Sequence, residues 1–131
     1  MVFLVGALLC PSGLLAQESG CAEAETQAEM NACAAQDFKE ADAALNETYL
    51  EARDHMRALD DSLGPDQAGA EQALLQAQRA WISFRDLSCA AEGYAYHGGS
   101  IEPMVVNFCL ARLTAVRRDD LAALASPEGG N

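Results

Sequence analysis

Between Thr26 and Leu63 apolar side chains return every three or four positions: Met30, Ala34, Phe38, Ala41, Leu45, Tyr49, Ala52, Met56, Leu59 and Leu63. That period gathers them on one stripe of a long amphipathic helix. Thr26-Gln27-Ala28-Glu29 reads as a capping box at its start, with the Thr26 hydroxyl accepting the Glu29 amide proton and the Glu29 carboxylate reaching back to Thr26. Gly64-Pro65 predicts its end. A residue before proline disfavours helical geometry, and proline has no amide proton to give.

A second helical period runs from about Asp66 to Glu92, with Ala70, Leu74, Ala77, Trp81, Phe84, Ser88 and Ala91 as its inner stripe and Leu75, Ile82 and Cys89 at the border. Tyr94-Ala95-Tyr96-His97-Gly98-Gly99 breaks it. Ser100 then offers a cap for a third helix reaching about Leu124, with Pro103 tolerated in the first turn. Val106, Cys109, Leu113, Val116 and Leu124 mark its expected buried face. The chain carries no strand-like alternation and no internal repeat. The expectation is an all-α fold: a small antiparallel bundle of three helices, or four if a further one forms, with short connections.

The cysteines decide how such a bundle is stapled. A hairpin centred on Gly99 places Cys89 opposite Cys109, each ten residues from the turn. Cys21, on the segment leading into the first helix, can fold back onto Cys33 two turns inside it. Cys21–Cys33 with Cys89–Cys109 is the expected pairing, although four cysteines allow three connectivities and the other two stay open at this point.

The first sixteen residues, an apolar run closed by Pro11, Ser12, Gly13 and Ala16, fit a secretory signal peptide cut after Ala16, apart from the missing basic start. Cys10 would leave with it. Lipid anchoring there is disfavoured by Leu9, which stands where a small residue normally precedes a modified cysteine. The chain then divides into an N-terminal segment (17–25), a helical domain (26–124) and a frayed tail (125–131). Paired cysteines behind a leader imply a periplasmic or secreted protein.

Charge narrows the partners. The chain carries a formal net charge of −12. From Glu18 to Glu71 there are 14 acidic and 3 basic residues, against 6 and 5 from Gln72 onwards. Nucleic acids and anionic membranes call for clustered Lys and Arg, so both are excluded as partners. An acidic front half suits solubility or a basic protein partner.

Several motifs together place the chain in a family. They are Cys21; Thr26 with Ala28-Glu29-Met30-Asn31-Ala32-Cys33-Ala34; Ala41-Asp42, Leu45-Asn46 and Tyr49; Ala77 through Asp86 with Cys89; Gly98-Gly99-Ser100; and Cys109 with Leu113-Thr114 and Arg117. In order and spacing this resembles the LprI-type lysozyme inhibitors over about residues 21–124. The resemblance implies a small helical envelope domain, with lysozyme inhibition as the family's named activity.

Chemistry-bearing groups are sparse. His55 and His97 stand far apart with no ligand-spaced Cys/His cluster, so no metal or other cofactor is expected. No nucleophile elbow or phosphate loop is present, and no catalytic residue is assigned. Trp81, Phe84, Arg79 and Arg85 form the densest motif. Their helical phase favours an architectural role, with Trp81 and Phe84 in the core and the arginines pairing Asp42 or Asn46, over a partner hot spot. Tyr94, Tyr96, His97 and Ser100 around the glycine turn are the candidate partner-binding residues, weighed against a plain helix connector. The expected function is a non-enzymatic lysozyme-binding inhibitor protecting the bacterial envelope; the alternative is a structural or adaptor module that binds another envelope protein.

Overall fold

The computed structural model describes residues 20–126. The expected leader, Cys10 and the last five residues lie outside that span. Three helices follow a short 3-10 turn at Gly20–Glu23: α1 (Gln27–Leu63), α2 (Ala70–Gly93) and α3 (Glu102–Ala125). A second 3-10 turn, Tyr94–Tyr96, leads out of α2. The order is up, down, up, so α1 and α3 run parallel and α2 returns between their ends. No described helix is long and apolar enough to cross a membrane.

Each end of α1 is set locally. Thr26 Oγ1 accepts the Glu29 amide at 3.2 Å, and Glu29 Oε2 accepts the Thr26 and Glu25 amides at 2.9 Å each. These bonds hold the Glu29 carboxyl below the usual carboxylate range, the Thr26 amide contributing most. At the other end Gly64 takes φ +82°, a conformation that favours glycine, and the helix stops.

The beginning of α2 departs from expectation. Residues 65–67 form a turn, and the helix starts at Ala70 without a side-chain cap of its own. Asp60 of α1 supplies one instead, accepting the amides of Gly69, Ala70 and Glu71 at 2.8, 2.7 and 3.0 Å. The Asp60 carboxyl is lowered accordingly, by the Gly69 amide above all. Beside it, Glu71 bridges Arg53 (2.7 Å) and Arg57 (2.9 Å). The α1–α2 connection is thus polar cross-bracing, with little apolar contact at its rim.

The apolar centre is small. Leu45, Ala52, Leu74 and Leu121 are buried together, with Tyr49, Met56, Trp81 and Ala125 packed against them. On α1 the predicted stripe holds as far as Met56, while Leu59 and Leu63 at its end are exposed. On α2 the face is rotated. Its buried residues are Leu74, Gln78, Arg85, Cys89 and Gly93, while Ala77, Phe84 and Ala91 point to solvent. On α3 the buried positions are Cys109, Thr114 and Leu121, and the expected Val116 and Leu124 are exposed.

Both pairings Cys21–Cys33 and Cys89–Cys109 are present, each with Cα atoms 5.4 Å apart. The first ties the 3-10 turn at the entry to α1; the second, fully buried, locks α2 to α3 below their turn. Asp37 sits beside the first pair, but two bonded sulfurs have no thiolate to offer a metal.

Candidate functional site

The α2–α3 turn gathers the candidate residues Tyr94, Tyr96, His97 and Ser100, all exposed. Gly93 closes α2 against α3 so tightly that a Cβ there would meet Val106 Cγ2 at 2.5 Å. Beyond it Tyr94 (66% exposed) stacks on His97, with ring centroids 4.6 Å apart and planes 5° from parallel. Tyr96 is also exposed, at 46%. The chain reverses at Gly98, whose φ of +79° a side chain would strain.

Glu102, in the first turn of α3, holds this reversal. Its Oε2 accepts the Gly98 amide at 2.7 Å and its Oε1 lies 3.1 Å from His97 Nδ1. An ionised carboxylate only accepts, so this contact calls for a proton on His97 Nδ1. The backbone closes the turn further through Gly99 N to Tyr96 O (2.9 Å) and Glu102 N to Gly99 O (3.3 Å). From α1, Asn31 Nδ2 donates to the Ser100 carbonyl at 2.9 Å. Ser100 itself caps nothing: Ile101 is the N-cap of α3 and makes no side-chain cap bond. No side chain caps the start of α3; the Glu102 carboxylate instead turns back to accept from the preceding loop.

The Gly98 amide, and then His97, pull the Glu102 carboxyl below its ordinary range. A group depressed in the folded state favours that state above its unfolded pKa, and the benefit fades as pH falls through the folded value. Acidification below the ordinary carboxylate range is therefore expected to release the Gly98 amide and unstack Tyr94 from His97. The Gly98 amide proton shift, followed by NMR from neutral to acid pH, measures this directly. A Glu102→Gln variant should remove the transition; a transition that persists in the variant would assign it to another group.

The second candidate group is dispersed. Arg85, 8% exposed in its side chain, donates to Asp42 Oδ1 (3.2 Å), Thr114 Oγ1 (3.3 Å) and Asp86 Oδ1 (2.9 Å). Its guanidinium lies 5.1 Å from the ring centroids of both Phe38 and Trp81. Arg117 approaches the same Trp81 ring at 6.0 Å and donates to Gln78 at 3.0 Å. Asn46 bonds Asp42 at 3.4 Å rather than an arginine. Arg79 is exposed and makes no ion pair among the described residues, and Phe84 is 61% exposed. Arg85 is thus the buried centre of a junction that joins Asp42 and Phe38 of α1, Trp81 of α2 and Thr114 of α3; Arg79 and Phe84 lie outside it.

At the far end of the bundle, a shallow depression of about 300 Å³ is lined by Asp60, Asp61, Gly64, Pro65 and Ala68. The Asp60 oxygens there are already committed to backbone amides. No described group of side chains forms a nucleophile–base pair. Glu102 of α3 and Asn31 of α1, which hold the turn, are not among the site residues read from the sequence. An acid five positions after His97 and just past a glycine pair was the available signal for Glu102.

The model of the family described as lysozyme inhibitor LprI matches residues 19–121. The chain belongs to the lysozyme inhibitor LprI family. It is 45% identical over 123 residues to the uncharacterized protein R02472 of Rhizobium meliloti (strain 1021), covering 89% of this chain and 88% of that one. It also resembles the crystal structure of a DUF1311 family protein from Pseudomonas putida KT2440, with a TM-score of 0.67 and 29% identity over 78% of this chain and 96% of the other. For this LprI-family chain the match takes in both disulfides, the Arg85 junction and the whole α2–α3 turn.

Proposed function

We propose that this protein is an extracytoplasmic, non-enzymatic inhibitor that binds lysozyme through the α2–α3 turn and so protects the bacterial envelope. The observation that carries the reading is the stacked Tyr94–His97 pair, exposed at a bundle tip and fixed by Glu102, Asn31 and the neighbouring disulfide. A rigid aromatic tip loses little conformational freedom on docking, which is what a blocking loop needs to occupy a concave cleft.

Electrostatics support the same partner. Glu40, Glu47, Glu51, Asp54 and Asp61 recur along one exposed face of α1, on a chain of net charge −12. Lysozymes are commonly basic, so this face would speed encounter, chiefly through the association rate and in a salt-dependent way. The family's inhibitory name and its paired cysteines agree with action outside the cytoplasm.

Lysis of cell-wall suspensions by a panel of lysozymes tests the proposal. The oxidised protein is expected to suppress at least one lysozyme at low salt, and Tyr94→Ala with His97→Ala to weaken that suppression by roughly tenfold or more. The variant's helicity should be unchanged, because both side chains are solvent-facing. No suppression of any lysozyme at stoichiometric excess would refute the reading. A non-lysozyme envelope protein retained in moderate salt would instead favour an adaptor role.

A further inference from the structure

On the side of α2 turned away from the bundle, Ala73, Ala77, Ala80, Phe84, Leu87 and Ala91 follow one another at alternating steps of four and three residues. All six are exposed; Phe84 is 61% and Leu87 72% accessible. Steps of four and three are the period of a seam between two helices, and α1 and α3 both pack on the opposite side. The seam spans about 27 Å at the ~1.5 Å rise of an α-helix. Its immediate flank, Gln76, Ser83 and Ala90, bears no charge, on a chain whose net charge is −12. A solubilising surface would have placed acids there.

We infer that this face of α2 binds the α2 of a second copy of the chain, antiparallel, about a two-fold axis that meets the seam level with position 82 along the helix. Three features of the sequence select that partner and direction. Large and small residues lie symmetrically about position 82, so the two-fold sets Phe84 against Ala80 of the second copy, Leu87 against Ala77, and Ala91 against Ala73. Each bulky side chain meets a small one, the complementarity a close helix pair requires. Parallel pairing would set Phe84 against Phe84 and leave alanine facing alanine over half the seam.

Charge agrees with the same axis. Arg79 and Asp86, both exposed, lie three and four residues to either side of position 82, which brings each Arg79 within about one residue's rise of Asp86 of the other copy, an acid that also pairs its own Arg85 at 2.9 Å. Arg79 makes no ion pair among the described residues, so its charge is available to the second copy. An isologous contact of this kind closes on itself and stops at two chains. Because α2 reverses direction between copies, the two Tyr94–His97 tips lie at opposite ends of the dimer. The inference is independent of what those tips bind.

Sedimentation of the purified, oxidised protein tests the pairing. The mass should rise from one chain to two by about 100 µM. Phe84→Glu with Leu87→Glu should weaken dimerisation by roughly tenfold or more, as should Ala80→Glu alone, with helical circular dichroism unchanged. A chain that stays monomeric throughout, or a dimer indifferent to both variants, overturns the inference. Direction is read separately by oxidative cross-linking in a Cys10→Ser background. Ser83→Cys, beside the axis, should give a covalent dimer; Gln76→Cys, about 18 Å from its counterpart along the helix, should not. Equal cross-linking at both positions would overturn the antiparallel arrangement.

Discussion

Replacing Cys89 and Cys109 together with alanine is expected to lower stability by about 3 kcal/mol, because the bond closes a loop of twenty residues and restricts the unfolded chain. The thermal midpoint should fall by more than ~10 °C for a domain of this size. Both side chains are buried, at 0% and 2% exposure, so the two lost sulfurs also leave space between α2 and α3. The loss reaches the turn as well, since the bond is the covalent tie nearest to Tyr94 and His97. Thermal unfolding monitored at 222 nm, with and without reductant, measures it. The Cys21–Cys33 bond closes a shorter loop at the edge of the fold, so Cys21→Ala with Cys33→Ala should cost less. Equal losses from the two pairs would argue against a special place for Cys89–Cys109 in the core.

Arg85→Ala is expected to cost about 2–4 kcal/mol. It removes the aliphatic stem and guanidinium that fill the space between Phe38 and Trp81, and it strips a donor from buried Thr114. Arg85→Met keeps the stem and removes the buried charge together with its desolvation cost. It should recover most of the loss, and Thr114 can turn its hydroxyl to its own helix. Asp42→Asn should cost less than Arg85→Ala, because Asp42 is 41% exposed and Asp86 still pairs the arginine. Urea unfolding of the three variants ranks them. If Arg85→Ala fell within about 0.5 kcal/mol of the parent chain, in the range of neutral surface changes, Arg85 would not be structural.

The same junction explains why one helix was misjudged from its sequence. Apolar periodicity locates a buried face only where the buried residues are apolar. On α1 they are, and the stripe from Met30 to Met56 was legible. On α2 two core-facing positions are Gln78 and Arg85, satisfied by Arg117, Asp42 and Thr114 from other helices. Of the expected stripe, Ala77, Phe84 and Ala91 therefore face solvent, while Leu74 and Trp81 reach the core. On α3 the buried Thr114 and exposed Val116 shift the face in the same way. The candidate turn was legible in outline, from an aromatic cluster beside two glycines. Its Glu102 clamp was not, because an acid in a first helical turn ordinarily reads as favourable interaction with the helix dipole.

By itself the sequence determined the helices, the capping box, the stop at Gly64 and the family, and it favoured the disulfide pairing that is found. Each rests on neighbours in the chain or on a fixed span around one turn, which spacing alone can express. Only the tertiary structure decided the rotation of α2 and α3, the cap that Asp60 lends to α2, and the clamp on the Tyr94–His97 tip. Those depend on polar groups meeting across helices, where a buried arginine is stable only because distant residues supply its partners.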